Sequence, residues 1–171
     1  MSGHLSRPPR YLPETPFPPY AYVPGRHPHP VRDPAGHMYG QEDLPPYAVE
    51  PTHWRDCKAF LHGVDLFNHG YYWEAHEAWE GLWRAYPPES NAARLLQGLI
   101  KLAAAGVKAR EGRARGVSRH AARARALFAG LPEEAKLFGV SPDKLATAAA
   151  RLTTEPPGPE LDGLKLVLRP E

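Results

Sequence analysis

Residues 73–83, WEAHEAWEGLW, hold three of the four tryptophans of the chain, three glutamates and one histidine. The stretch mixes groups that want burial with groups that want water, a partner or a metal. A helix separates the two. At about 100° per residue, Tyr72, Ala75, Trp79, Leu82, Trp83 and Tyr86 share one face. His76 lies on that face toward one side, and Glu80 sits one turn further on at its shoulder. Glu77 is further out, and Glu74 is predicted to point to solvent. The stretch therefore reads as a core helix with a polar rim, not as a random mixture.

The helical period extends on both sides. Upstream, from Thr52, it carries Trp54, Cys57, Phe60, Leu61, Val64 and Phe67 at spacings of three and four, and stops at Gly70, a residue suited to a left-handed cap. The helix of the opening stretch is predicted from Tyr71 to Tyr86, ending at Pro87-Pro88. Ser90 caps a third, reaching Glu111 and Gly112. A fourth runs from Ala114 to Leu131, before Pro132. Ser141 and Pro142 open a fifth that ends near Leu152. Short loops between helices predict an all-α fold, an antiparallel bundle of about five helices over residues 52–153.

The flanks differ. Of 21 prolines, thirteen lie between Pro8 and Pro51. Proline removes donors and breaks helices, so residues 1–51 are predicted to be an extended, proline-rich N-terminal arm. Tyr11, Phe17, Tyr20, Tyr22, Tyr39 and Tyr47 suggest that this arm packs on the bundle. Residues 154–171 are predicted as a short extended C-terminal tail, in which LKLVL, residues 164–168, reads as a lone strand.

Composition excludes little. Net charge is +2, with 42% hydrophobic and 23% charged residues, so nothing global demands a polyanion or a membrane. The longest small apolar run, Leu102 to Val107, is far too short to span a bilayer. The start, MSGHLSRPPR, is followed by no apolar run. Cys57 is the one cysteine, which excludes an internal disulfide and fits a reducing compartment. A cytoplasmic location is the expectation.

Three readings of the polar rim are open. Glu80 orients His76 by a hydrogen bond, and both are structural. Or His76 and Glu80, at i and i+4, are two ligands of a divalent metal, where a tight site wants three or four. Or the pair is a general base, for which the sequence supplies no nucleophile and no complete catalytic set. The third helix carries a polar stripe of Gln97, Lys101 and Lys108, edged by Gly98 and Ala105. An antiparallel neighbour would bring Lys101 or Lys108 toward Glu80 or Glu77. The expected pocket therefore joins His76, Glu77, Glu80, Trp83, Gln97 and Lys101, with a small ligand or a divalent ion as its occupant.

DLFNHGYYWEAHEAWEGLWR followed by LLQGLIKLAAAGVKAREG resembles the prokaryotic domain-of-unknown-function family 309. The resemblance rests on H-x-x-x-E-x-x-W at His76, Glu80 and Trp83, on L-F-N-x-G at Leu66, Phe67, Asn68 and Gly70, on E-A-H-E at Glu74 to Glu77, and on L-Q-G at Leu96, Gln97 and Gly98. It covers Trp54 to Leu131. It implies a small all-α bundle of a family whose function is not established, for which metal binding through the signature, here His76, Glu80 and Trp83, is a proposal. The family pattern also implies a histidine near the end of the third helix, where this chain has Val107 followed by Lys108. His27, His29 and His37, with Asp33 between them, offer a replacement if the arm brings one of them to His76. His53, His62 and His69 are further histidines without a pattern.

Charge is uneven along the chain. Nine basic residues and one acid, Glu111, lie between Arg94 and Arg125. Arg115, Arg119 and Arg123 form the outer face of the fourth helix, opposite Val117, Ala121, Ala124, Phe128 and Leu131. The alternative function is thus an interaction module that binds nucleic acid or another polyanion through this hairpin, with salt-sensitive affinity. A solvated arginine face is the plainer explanation.

Overall fold

The computed structural model describes residues 7–132, 136–158 and 162–171. Five α-helices follow one 3-10 turn at Pro51–Asp56: α1, Lys58–Asn68; α2, Tyr72–Trp83; α3, Asn91–Arg110; α4, Ala114–Ala129; and α5, Pro142–Thr154. The all-α bundle expected from the periodicity is the observed fold. Each helix packs on the next in the chain, with α3 lying against both α2 and α4. At 20 residues α3 is the longest and most deeply buried element, with thirteen of them in the interior.

The helix ends carry recognisable chemistry. Gly70, at φ 86°, closes α1. The Tyr71 N–H reaches the Leu66 carbonyl at 2.8 Å, and the Gly70 N–H reaches that of Phe67 at 3.1 Å. These are the two bonds of a Schellman cap. Ser90 and Ser141 accept from the Ala93 and Lys144 N–H groups at 3.1 and 3.3 Å, as their spacing predicts.

Beyond shifts of one or two residues at helix ends, three features differ from expectation. The apolar pattern from Trp54 to Phe67 is not one helix. Cys57, at φ −88° and ψ 85°, separates the 3-10 turn from α1. Trp54 and Cys57 still reach the core, so the periodicity survives a break in the backbone. α2 stops at Trp83, because the Ala85 and Tyr86 N–H groups bond three residues back, to Leu82 and Trp83, tightening the final turn. And LKLVL forms no strand. Its Leu168 backbone pairs instead with the Asn68 side chain, at 2.8 Å in both directions. One amide side chain thus satisfies the groups that a neighbouring strand would have taken.

The interior is fitted by ring against glycine. A methyl group on Gly98 of α3 would overlap the Phe128 ring of α4. The small-residue edge of α3 therefore admits a neighbouring side chain.

The arm packs on α1 and α2 through two buried carboxylates. Asp65, fully buried in α1, accepts the Tyr11 and Leu12 N–H groups at 2.8 and 2.9 Å and lies 3.5 Å from the Arg10 Nε. Glu74 of α2 accepts the Tyr22 N–H at 2.9 Å and the His37 Nε2 at 3.0 Å. Apolar contacts fill between these pins. Phe17 stacks on Tyr71, Tyr22 and His29 meet Trp73 edge-on, and Val23 is buried. Among the described residues, no helix is long and apolar enough to cross a membrane.

Candidate metal site on α2

The rotation of α2 about its axis is set by its large side chains. Trp79 is fully buried, and its indole N–H reaches the Phe60 carbonyl of α1 at 3.3 Å. The Tyr72 hydroxyl accepts from the Leu164 N–H at 2.9 Å. Tyr86, just beyond the helix, exchanges hydrogen bonds with both backbone groups of Val49. With Tyr72, Ala75, Trp79 and Leu82 turned inward, the next positions round the helix fall at the rim of the core. There lie His76, Glu77 and Glu80, with about a third of each side chain exposed.

Their polar atoms converge. The His76 Nδ1 stands 3.4 Å from the Glu77 Oε1 and 3.6 Å from the Glu80 Oε2. Single ligand atoms of all three residues lie within 4.8 Å of one another. Yet the His76 Nδ1 is buried without a hydrogen bond, since both carboxylates stop short of bonding geometry. A metal removes this deficit. With bonds of about 2.0–2.2 Å to nitrogen and oxygen in tetrahedral coordination, ligand atoms stand roughly 3.3–3.6 Å apart. The two histidine–carboxylate separations match that edge length. Glu77 is thus a third candidate ligand beside the His76 and Glu80 of the sequence reading. Adjacent positions diverge by about 100° on a helix, but a glutamate is long enough to reach back.

The other expected pocket residues are placed as follows. Trp83 is half-buried and packs against the main core. Gln97 is half-buried on α3. Lys101 faces α4, where its charge acts on His120. Lys108 pairs with Glu111 at 2.6 Å. Neither lysine forms an ion pair with Glu77 or Glu80. The cation beside Glu80 is Arg84, its Nη2 at 3.1 Å from the Glu80 Oε1. Of the arm histidines, His37 goes to Glu74, His27 accepts from the Val23 N–H, and His29 accepts from Val31 and Arg32.

Two further polar residues escaped the sequence reading. Glu74, expected in solvent, is 5% exposed, because the arm covers the outer face of α2. A helical wheel sorts positions relative to one neighbour and is blind to a second layer. Asp65 did leave a signal, a charge set among Val64, Leu66 and Phe67. Around it, His62 Nδ1, His69 Nε2 and Arg10 Nε are buried without hydrogen-bond partners. Burial holds both imidazoles below the ordinary histidine range, although the Asp65 charge pulls them up.

Residues 60–120, about a third of the chain, match the family described as "Domain of unknown function (DUF309)". The matched segment holds α1 to α3 nearly whole, the candidate ligands included, and it supports the family resemblance carried by the α2 and α3 motifs. No curated protein matches the chain.

Proposed function

We propose that this is a small cytoplasmic helical-bundle protein whose α2 cluster binds a divalent metal ion, with His76, Glu77 and Glu80 as its ligands. The observation that carries this reading is the His76 Nδ1, buried, unbonded and held 3.4 and 3.6 Å from two carboxylate oxygens. One imidazole and two carboxylates suit zinc, manganese, nickel or iron(II). Three protein ligands leave a coordination position open for a small ligand or water. The test is metal content of the purified protein, with titration of those four ions into wild type, His76→Ala and Glu80→Ala. Stoichiometric metal in wild type, lost in both variants with helicity intact by circular dichroism, is the expected result. Absence of metal from every form, with the variants merely less stable, would return the cluster to a structural role.

A second reading is a polyanion surface on α3 and α4. Arg115 and Arg119 line an open depression of about 660 Å³ with Ala114, Gly116, Ser118 and Pro156. Burial, followed by the charges of Lys101, Arg119, Lys108 and Arg123, holds His120 below the ordinary histidine range. An anion bound among these cations would raise it. The check is the His120 imidazole titration by NMR with and without a short oligonucleotide. Charge reversal at Arg115, Arg119 and Arg123 should abolish oligonucleotide binding and spare metal uptake.

A further inference from the structure

The two oxygens of Glu80 have different neighbours. Oε2 faces the His76 Nδ1 at 3.6 Å, and Oε1 takes the Arg84 guanidinium at 3.1 Å. Arg84 follows α2 directly as its C-cap, one turn beyond Glu80. Its other terminal nitrogen, Nη1, lies 3.9 Å from the Asp43 Oδ2 of the arm. Near this point the arm also approaches α2 through Pro46, beside Gly81. A chain of charges thus runs from His76 through Glu80 and Arg84 to Asp43. It joins the candidate site to a part of the arm between its attachments at Glu74 and at Tyr86.

We propose that Arg84 is a positioning residue for the α2 site, holding the Glu80 carboxylate with Oε2 turned to His76, and that Asp43 steadies Arg84 from the arm. This rests on the metal-binding reading above. A glutamate on a helix has several rotamers, and one that is only a third exposed loses entropy when a ligand fixes it. A hydrogen bond to its distal oxygen settles that choice beforehand. Outer partners of this kind commonly alter metal affinity by about 10- to 100-fold. Because the pair is partly solvated, the low end is expected here. The direction of the effect is diagnostic. A guanidinium acting only through space would repel a divalent cation, so its removal would tighten binding. A positioning role predicts weakening.

The experiment is zinc titration of the full chain by calorimetry, in wild type, Arg84→Met, Arg84→Lys, Asp43→Asn and the Arg84→Met, Asp43→Asn pair. Arg84→Met should raise Kd about tenfold, with Arg84→Lys recovering part of it. Asp43→Asn should weaken binding by less than about threefold, and not at all once Arg84 is gone. A metal-free readout accompanies it, hydrogen exchange at the Gln41 amide, which bonds to the Met38 carbonyl at 3.2 Å. Exchange there should quicken in Arg84→Met and not in His76→Ala. Unchanged or tighter zinc binding by Arg84→Met would overturn the proposal while leaving the site intact. Should wild type take up no metal at all, the metal reading fails. The link from Arg84 to the arm is then judged on exchange alone, and unchanged exchange sinks it as well.

Discussion

His37 of the arm and Glu74 of α2 lie 3.0 Å apart, with side chains 6% and 4% exposed. The same carboxylate oxygen also accepts the Tyr22 N–H, so one buried acid gathers two arm segments fifteen residues apart. Replacing Glu74 by alanine leaves a buried N–H and a buried imidazole without an acceptor. The expected cost is about 1–3 kcal/mol, read as a lower denaturant midpoint. Faster protease cleavage within residues 7–50 should accompany it. A variant as stable as wild type, with equal resistance, would show that the pair merely fills space.

Stability should fall on mild acidification. His62 and His69 are held low by burial, Asp65 pulls them up, and Arg10 pushes them down. The unfolded chain, with histidines near 6.5, therefore binds protons first as pH drops. Stability is full above about pH 6.5 and declines as pH falls through the window below it. The decline levels off once the folded imidazoles are also protonated. Denaturant midpoints measured from neutral pH downward should trace this curve. The double variant His62→Gln, His69→Gln should flatten it, and an unaltered slope would assign the acid sensitivity elsewhere.

The tail depends on one amide. Asn68→Ala removes both hydrogen bonds to Leu168, a residue buried against the core. A loss of about 1–3 kcal/mol is expected for the two bonds. Amide exchange at Leu168 should become fast, since its N–H then has no acceptor. Protection at that amide in the variant would mean that the tail is held by packing alone.

Much of the bundle was legible because helical period, capping serines and prolines are local signals. Trp79, Leu82 and Phe67 face inward for the same reason that they recur at three and four residues. Gly70 ends α1 because few other residues accept its positive φ. The break at Cys57 was hidden, since apolar spacing reports which side chains reach the core and not which torsions deliver them. For the site, the spacing of His76 and Glu80 was enough to pair them. Glu77, already expected in the pocket, becomes a candidate ligand only through the path of its side chain, and the charge of Lys101 acts on His120 of α4.

What the sequence by itself determined was the set of helices, their inward faces and the meeting of His76 with Glu80, all consequences of a 3.6-residue repeat acting over a turn or two. Only the tertiary structure decided where the proline-rich arm goes. Its attachments join residues more than thirty positions apart, Tyr11 to Asp65, His37 to Glu74 and Asp43 to Arg84, and no periodicity records them. The physical reason is that a buried carboxylate must find donors wherever the chain can supply them. Here the donors are backbone N–H groups and a histidine of a segment that its prolines keep out of helix.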